Sequence, residues 1–443
     1  MSTPTVFPST TAVRSDAPLT AEQLKPLLDR LARRHHVPAA QLAVRSGDRT
    51  VAVDVGGVGP EAKFPVGSIT KVGTATLAML LADDDDLDLD DPLGEHLGDL
   101  GPRLGALTAR QVLSHTSGLP AGSDPSGSVR KYVTACRDSE FVTAPGRGFS
   151  YSNAGYVLIG QLVEEITGMH WWEAVAVLVL QPLGIDPAFV VEPPGSPAGS
   201  TFVPGHAVHA ATGRARPVEQ TLRPAEAAAG ALALSALDLV ALGSTHVART
   251  PLLDAALLRE MRRPVDGAEP FGLADGWGLG LARFHGPDAD WVGHDGTADG
   301  TSCHLRIDPA HGVVIALTTN AATGSALWVD LVGELRSLGL PVGDYELPVL
   351  PRQPRPVPVG LSGHYANGDM EYVVEVGPDG RAELSVGGEP HPELAIHRGG
   401  AFSVLEPSTG DRIIAGRFLT DPAADGVTGI QAGGRVARRR PEA

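Results

Sequence analysis

The chain has 443 residues, 42% of them hydrophobic, and its 52 acidic and 35 basic residues give a formal net charge of −17. This length and apolar content predict two or three folded domains and exclude a fibrous or globally disordered chain. The negative charge disfavours nucleic acid and anionic membrane surfaces as partners, because both are negatively charged themselves.

Several sequence features bear on compartment and cofactors. The first residues lack a charged segment followed by an apolar run, and no stretch reaches the ~20 apolar residues of a membrane-spanning helix. The two cysteines, Cys136 and Cys303, provide neither a disulfide framework nor a cysteine metal site. His206 and His209 lack a third ligand, and the acidic run at 83–91 lacks the Gly and Glu of an EF-hand loop. We therefore expect a cytoplasmic protein without metal or other cofactor.

The N-terminal half begins with a predicted flexible leader at residues 1–18. Thr20 and Gln23 have the spacing of a capping box and predict a helix start. Two strand patterns follow this helix, and residues 66–240 then show helical patterns separated by long loops.

Strand patterns return around residues 301–320, ahead of another helical pattern. Strands near both ends of this region, with helices between them, predict one sheet with an inserted helical subdomain. We place this α/β catalytic domain at residues 19–345. A Pro-rich linker is predicted at 346–360, and short alternating strands predict a small all-β domain at 361–443.

The strongest chemical signal is the pair Ser68 and Lys71, which stand three residues apart at the start of an apolar helix. A serine hydroxyl becomes a good nucleophile when a neighbouring base takes its proton. Only four of the 35 lysine and arginine residues are lysines, which leaves 31 arginines. A lysine retained in such a chain fits a role that arginine cannot fill, that of a base. The alternative for Ser68 is a helix N-cap.

Two further motifs follow in order along the chain. Tyr151 and Asn153 precede a helix, and tyrosine can relay a proton while asparagine can hold a substrate amide. His294, Gly296 and Thr297 lie in a strand pattern, where glycine permits close approach of a ligand. As alternatives, Tyr151 is a core residue, Asn153 a turn residue and His294 a surface histidine.

These motifs in this order resemble the penicillin-recognising serine acyltransferases, a family of class C β-lactamases, D-specific peptidases and esterases. The resemblance covers roughly residues 20–340 and includes 113–119, 145–153 and 229–232. It implies a β-lactamase/transpeptidase-like fold, in which an antiparallel sheet formed by both chain ends carries an inserted helical subdomain.

The resemblance also implies the roles of the site residues. Ser68 would be the acylated nucleophile, Lys71 its base and Tyr151 the proton shuttle to the leaving group. The backbones of Ser68 and Thr297 would form the oxyanion hole. The residues expected to bind substrate are Asn153, His294, Asp295, Gly296 and Gly230. We interpret His115, in the 113–119 segment, as a loop-stabilising residue rather than a base.

The third motif of this chain differs from that of the class C β-lactamases. Class C β-lactamases carry Lys-Thr-Gly as the third motif, where this chain has His294-Asp295-Gly296. A histidine is charged only part of the time near neutral pH, which disfavours efficient β-lactam hydrolysis.

The predicted domains are most similar to the penicillin-binding-protein-type thioesterases of non-ribosomal peptide assembly lines. In that group a C-terminal lipocalin-like domain follows the catalytic domain, and a peptidyl thioester on a carrier protein is released as a macrocycle. The implied partners are this carrier-bound thioester and a peptide synthetase. The alternatives are a cytoplasmic D-specific peptidase, an esterase or a weak class C-like β-lactamase, and, from another class, a non-catalytic penicillin-type sensor.

Overall fold

The computed structural model describes residues 19–122, 128–191, 201–209, 212–248, 252–347, 360–405, 412–420 and 426–441. The predicted leader lies outside the described residues, as does most of the predicted linker.

A seven-stranded antiparallel sheet forms the centre of the catalytic domain, in the order β2-β1-β11-β10-β9-β8-β7. Its strands are β1 Ala40–Ser46, β2 Arg49–Val55, β7 Gly276–Trp277, β8 Ala282–His285, β9 Asp290–Ala298, β10 Thr301–Asp308 and β11 Val313–Thr319. Because β1 pairs with β11, the two ends of the domain meet in one sheet. The expected β-lactamase/transpeptidase-like fold is thus confirmed.

Two layers of helices cover this sheet. The helices are α1 Ala21–Arg34, α2 Thr70–Asp83, α3 Gly101–Gly105, α4 Ala109–Leu113, α5 Val129–Asp138, α6 Asn153–Thr167, α7 Trp171–Ala174, α8 Ala227–Gly230, α9 Ala236–Ser244, α10 Ala255–Arg262 and α11 Gly324–Ser337. Helices α1 and α11 pack on one face, and α9 with the inserted helical subdomain packs on the other. Strand residues alternate between the two cores, as in Ile315 and Leu317 against Val314 and Ala316. The Thr20 N–H donates to the Gln23 side chain at 3.0 Å, which confirms this part of the capping box.

The inserted subdomain is mainly helical, as the sequence predicts. α7 continues as a π-helical stretch over Val175–Leu180. Two short strand pairs join its loops to the rest of the domain: β3 Phe64–Pro65 with β6 Ala233–Leu234, and β4 His206–Val208 with β5 Ala215–Pro217.

The C-terminal region is a closed eight-stranded barrel, which confirms the predicted all-β, lipocalin-like domain. Its strands are β12 Gly363–Asn367, β13 Met370–Val376, β14 Ala382–Val386, β15 Glu389–Ile396, β16 Ala401–Leu405, β17 Arg412–Thr420, β18 Val427–Ala432 and β19 Arg435–Arg439. Buried side chains such as Tyr365, Phe402 and Ile430 form a hydrophobic core within it.

Both cysteines are fully buried, Cys136 in the helical subdomain and Cys303 in β10. In the part of the chain that the structure describes, no helix is long and apolar enough to span a membrane.

Candidate active site

Ser68 lies in a single 3₁₀ turn, Gly67–Ile69, which leads directly into α2. The turn rests against β9. Gly67 has a φ of +51°, and a Cβ at this position would collide with the main-chain carbonyl of Thr297. Only glycine combines this left-handed conformation with such close approach. The backbone of Thr297 is therefore held beside the nucleophile, where the oxyanion hole is expected.

Gly296, in β9, is the second glycine at the contact between this strand and the turn that carries Ser68. A Cβ at Gly296 would collide with the carbonyl oxygen of Val66 and lie 3.0 Å from the Ile69 nitrogen. The glycine thus permits close approach of β9 to the nucleophile turn, and it also lines the cavity described below.

Lys71 is 0% exposed, and its Nζ lies 3.2 Å from Ser68 Oγ. The same nitrogen donates to the Ala229 carbonyl at 2.8 Å. Burial lowers the pKa of Lys71 well below its usual value, and the positive charge of Arg435 lowers it further, against a smaller opposing effect of Glu226. These effects favour the neutral amine, which is the form that can accept the Ser68 proton.

Tyr151 stands beside this pair. Its ring centre lies 5.1 Å from Lys71 Nζ, and its buried hydroxyl has no hydrogen-bond partner among the described residues. Burial raises the pKa of Tyr151 to about 12, although the nearby Ser68 hydroxyl opposes this effect. The phenol therefore stays protonated near neutral pH and is able to donate a proton.

The backbone around Tyr151 is fixed by its neighbours. Ser152 caps α6 through a bond from the Gly155 N–H at 3.2 Å. The Ser152 N–H donates to Nδ1 of His115 at 3.1 Å, and the His115 ring packs 4.3 Å from the Tyr151 ring. His115 accordingly stabilises the loop, in agreement with the prediction, and also supports the tyrosine ring.

His294 is 2% exposed, and its Nδ1 lies 2.6 Å from the main-chain carbonyl oxygen of Asp295. A carbonyl only accepts, so Nδ1 carries the ring proton. Burial, aided by the charge of Lys71, lowers the pKa of His294 to about 4, and the ring is neutral near pH 7. Its Nε2 thus presents a lone pair, and this buried atom has no partner among the described residues.

The carboxylate of Asp295 is bound by protein groups. It accepts from Arg306 at 2.7 and 3.1 Å and from His304 at 2.7 Å. Burial raises the pKa of Asp295, but the charges of Arg306 and His304 outweigh this and hold it well below its usual range. Arg306 is itself buried and also binds Asp344. Asp295 therefore borders the cavity with both carboxylate oxygens hydrogen-bonded to protein groups, and substrate binding by Asp295 stays a prediction.

A cavity of about 180 Å³ lies beside the nucleophile. Its lining residues are Ser68, Tyr151, Leu273, Trp277, Ala282, Phe284, His294, Asp295, Gly296, Thr297 and Arg435. Four of the side chains are apolar, and the barrel contributes the arginine. Grooves of about 1010 Å³ at the barrel surface contain none of the predicted site residues.

Trp277 and Arg435 line this cavity, and neither was predicted from the sequence. Trp277 stands edge-on to His294 at 5.3 Å, and Arg435 lies 5.1 Å from the Tyr151 ring centre. No motif marks Arg435, because it belongs to the predicted all-β domain, far along the chain from the other site residues.

Two predicted residues are not in the cavity wall. Asn153 is the first residue of α6, and its buried Oδ1 has no partner among the described residues. Gly230 ends α8, and a Cβ there would contact Leu222. The carbonyl of the neighbouring residue, Ala229, accepts a hydrogen bond from Lys71. Substrate binding by Asn153 and Gly230 stays a prediction.

Comparisons with known proteins bear on the family of this chain. Residues 24–331 match the family described as Beta-lactamase. Penicillin-binding protein 4 of Amycolatopsis lactamdurans is 31% identical over 76% of this chain and 95% of its own length. The chain belongs to the β-lactamase and penicillin-binding-protein family.

Solved structures extend the comparison to the barrel. SurE is 39% identical with a TM-score of 0.85, over 95% of this chain and 98% of SurE. A D-stereospecific amidohydrolase from Streptomyces sp. is 25% identical with a TM-score of 0.57, over 68% of this chain and 96% of that one. A serine hydrolase of this family is therefore supported by sequence, fold and site geometry together.

Proposed function

We propose that this protein is a penicillin-binding-protein-type thioesterase, which transfers a peptidyl group from a carrier-bound thioester to Ser68 and releases it as a head-to-tail macrocycle. The observation that carries the proposal is the neutral, unpartnered Nε2 of His294 in the wall of the acyl cavity. A lone pair at this place suits an incoming amine, which has an N–H to donate.

Acylation begins with the neutral amine of Lys71, 3.2 Å from Ser68 Oγ. Lys71 takes the hydroxyl proton, Oγ bonds to the thioester carbonyl carbon, and the carbon–sulfur bond breaks. Tyr151 protonates the departing sulfur and regains a proton from Lys71. The backbone N–H groups of Ser68 and Thr297 are the proposed donors to the oxyanion.

Deacylation forms the amide. The amine nitrogen bonds to the ester carbonyl carbon, and the bond to Ser68 Oγ breaks. One nitrogen proton passes to Nε2 of His294, Tyr151 protonates Oγ, and return of the proton from His294 to Tyr151 resets the site. No oxidant or cofactor enters either step.

The cavity supports a small apolar acyl residue. Leu273, Trp277, Ala282 and Phe284 supply apolar surface, and about 180 Å³ accommodates one side chain rather than a peptide. SurE has also been solved with D-Leu. We therefore propose a peptide whose C-terminal residue is apolar and of D configuration, with the remaining chain outside the cavity.

A suitable experiment uses an octapeptidyl pantetheine thioester with a free N-terminus and a C-terminal D-Leu. Its products are separated by chromatography and identified by mass spectrometry. The proposal predicts a cyclic peptide from the intact chain and none from Ser68→Ala. The matched substrate with an acetylated N-terminus has no free amine and should yield linear acid only, slowly.

Linear acid as the sole product from the free-amine substrate would contradict cyclisation. The second candidate, a D-specific peptidase or amidase, would then stand, and the likeness to the D-stereospecific amidohydrolase favours it. A weak β-lactamase activity has a specific support too, because Arg435 provides a permanent cation in the cavity where His294 is neutral. Hydrolysis of a chromogenic cephalosporin tests that activity.

A further inference from the structure

The segment that carries Tyr151 is held on one side by the C-terminal barrel. The Tyr151 N–H donates to the Gly434 carbonyl at 2.9 Å, in the turn between β18 and β19. The hydroxyl of Ser150 accepts from the Val436 N–H at 3.2 Å. The catalytic tyrosine therefore depends on backbone contacts with a different domain.

One barrel side chain forms hydrogen bonds with residues of both domains at this interface. Asn367, at the end of β12, is 2% exposed. Its Oδ1 accepts from the Ala121 N–H at 2.6 Å, and its Nδ2 donates to the Val436 carbonyl at 2.9 Å and to Ser150 Oγ at 3.4 Å. Three hydrogen bonds thus converge on a single buried amide.

These bonds reach both residues of the Tyr-x-Asn motif. Ala121 connects Asn367 to the motif, because the Ala121 carbonyl accepts a hydrogen bond from the Asn153 N–H at 2.8 Å. Ser150 directly precedes Tyr151. We infer that Asn367 is a positioning residue, which fixes the Tyr151–Asn153 backbone relative to Ser68 from the barrel domain.

The physical basis is the cost of leaving these groups without partners. Replacement of Asn367 by alanine leaves the Ala121 N–H and the Val436 carbonyl unpaired in a buried interface, and each buried unpaired group is costly. Movement of the Tyr151–Asn153 segment would let water form hydrogen bonds with these groups. A displacement of about 1 Å at a proton donor lowers a rate by as much as 10²-fold.

The inference rests on acylation of Ser68, the first step of the proposed function, and not on the later choice between water and amine. The experiment therefore measures the rate of Ser68 labelling in the full chain as thiol release from the acetylated pantetheine thioester, whose departing sulfur takes its proton from Tyr151. We expect Asn367→Ala to slow labelling roughly 10- to 100-fold. Its reversible affinity for this thioester should change less than twofold by comparison.

The decisive measurement is a double-mutant cycle with Tyr151→Phe. If Asn367 acts through the tyrosine, Asn367→Ala slows labelling less than threefold in the Tyr151→Phe background. Multiplication of the two effects would overturn the inference, as would an unchanged labelling rate in Tyr151→Phe alone.

Ser403→Ala is the matched control for loss of barrel stability. Ser403 is a buried barrel residue whose hydroxyl pairs with His397 at 2.8 Å. The Ser403→Ala variant should have a lower melting temperature without slower labelling, and equal slowing in this control would overturn the inference.

If Asn367→Ala fails to fold, Ser150→Ala removes hydrogen bonds of the same interface from the catalytic domain, and it must show the same non-additivity with Tyr151→Phe. Loss of the cyclic product with these labelling effects intact would instead refute the proposed function alone.

Discussion

The guanidinium of Arg435 lies 5.1 Å from the centre of the Tyr151 ring, although 283 positions separate the two residues in the chain. Arg435 thus places a permanent positive charge from the barrel in the wall of the cavity beside Ser68. The charge also acts on Lys71, whose pKa it lowers in addition to the effect of burial.

Removal of that charge has a predictable effect on pH dependence. Lys71 acts as a base only when unprotonated, so acylation rises with pH through the pKa of Lys71. Arg435→Ala raises this pKa and should move the acidic limb of the kcat/KM profile to higher pH, whereas Arg435→Lys should retain the wild-type limb. Arg381→Ala, in the same barrel but 88% exposed, is the control that should leave the profile unchanged.

The role of Lys71 as base is tested by Lys71→Arg. Arginine keeps the charge but does not supply a neutral amine near neutral pH. We expect acylation to fall by roughly 10²–10⁴-fold, the usual contribution of a positioned base, measured as thiol release from the pantetheine substrate. Near-wild-type release would show that another group deprotonates Ser68.

His294 should affect the second step more than the first. His294→Gln keeps a hydrogen-bonding side chain but removes the basic nitrogen. Aminolysis of the acyl-enzyme should slow roughly 10²-fold or more, with acylation changed far less. The check is accumulation of acyl-enzyme by intact-mass spectrometry. Because the pKa of His294 is lowered to about 4, the wild-type profile should also show no limb from this residue between pH 6 and 8.

Gly296 provides a test of the contact between β9 and the nucleophile turn. A Cβ added by Gly296→Ala would collide with the Val66 carbonyl and displace the strand from Ser68. We predict a loss of acylation of about 10²-fold, because a shift near 1 Å is sufficient. Gly98→Ala, at a position with open space around the added Cβ, is the comparison that should retain full activity.

The buried charges behind β9 predict a stability effect. Arg306 is 1% exposed and pairs with both Asp295 and Asp344. Arg306→Met leaves the mostly buried Asp344 without its cation, whereas Asp295 is 42% exposed and keeps His304. The loss of stability should therefore be about 1–3 kcal/mol, below the roughly 3–5 kcal/mol of a fully buried pair. Urea unfolding followed by tryptophan fluorescence measures the change, and a loss below about 1 kcal/mol would contradict the assigned pairing.

The sequence was sufficient for the parts of the site that depend on local structure. Ser68 lies in the 3₁₀ turn that leads into α2 and Lys71 in the first turn of α2, and the spacing of three residues predicts their contact directly. Short strand-like runs next to turn residues also located β1, β10 and β11.

Contacts between segments that lie far apart along the chain could not be predicted from the sequence. Arg435 and Asn367 act through the packing of the barrel on the catalytic domain, which no periodicity records. The neutral state of His294 follows from its burial, and the bond to the Asp295 carbonyl determines which ring nitrogen carries the proton; a motif reveals neither. For the same reason no motif indicates that the Ala229 carbonyl accepts a hydrogen bond from Lys71.

The barrel contacts also determine which variants are informative. Deletion of residues 361–443 would remove Arg435 and, at the same time, the Gly434 carbonyl that accepts from Tyr151. Such a truncation would impair acylation and product choice together, so single substitutions separate the two roles better.

The burial of both cysteines has a practical consequence for the proposed chemistry. Burial raises the pKa of Cys303 to about 12, and Cys136 is equally inaccessible. A protein without a surface thiolate does not attack the pantetheine thioester in place of Ser68, and it does not form a mixed disulfide with oxidised pantetheine. The native chain should therefore be silent towards colourimetric thiol reagents, and a single cysteine introduced at an exposed position would be selectively modified for attachment of a spectroscopic label.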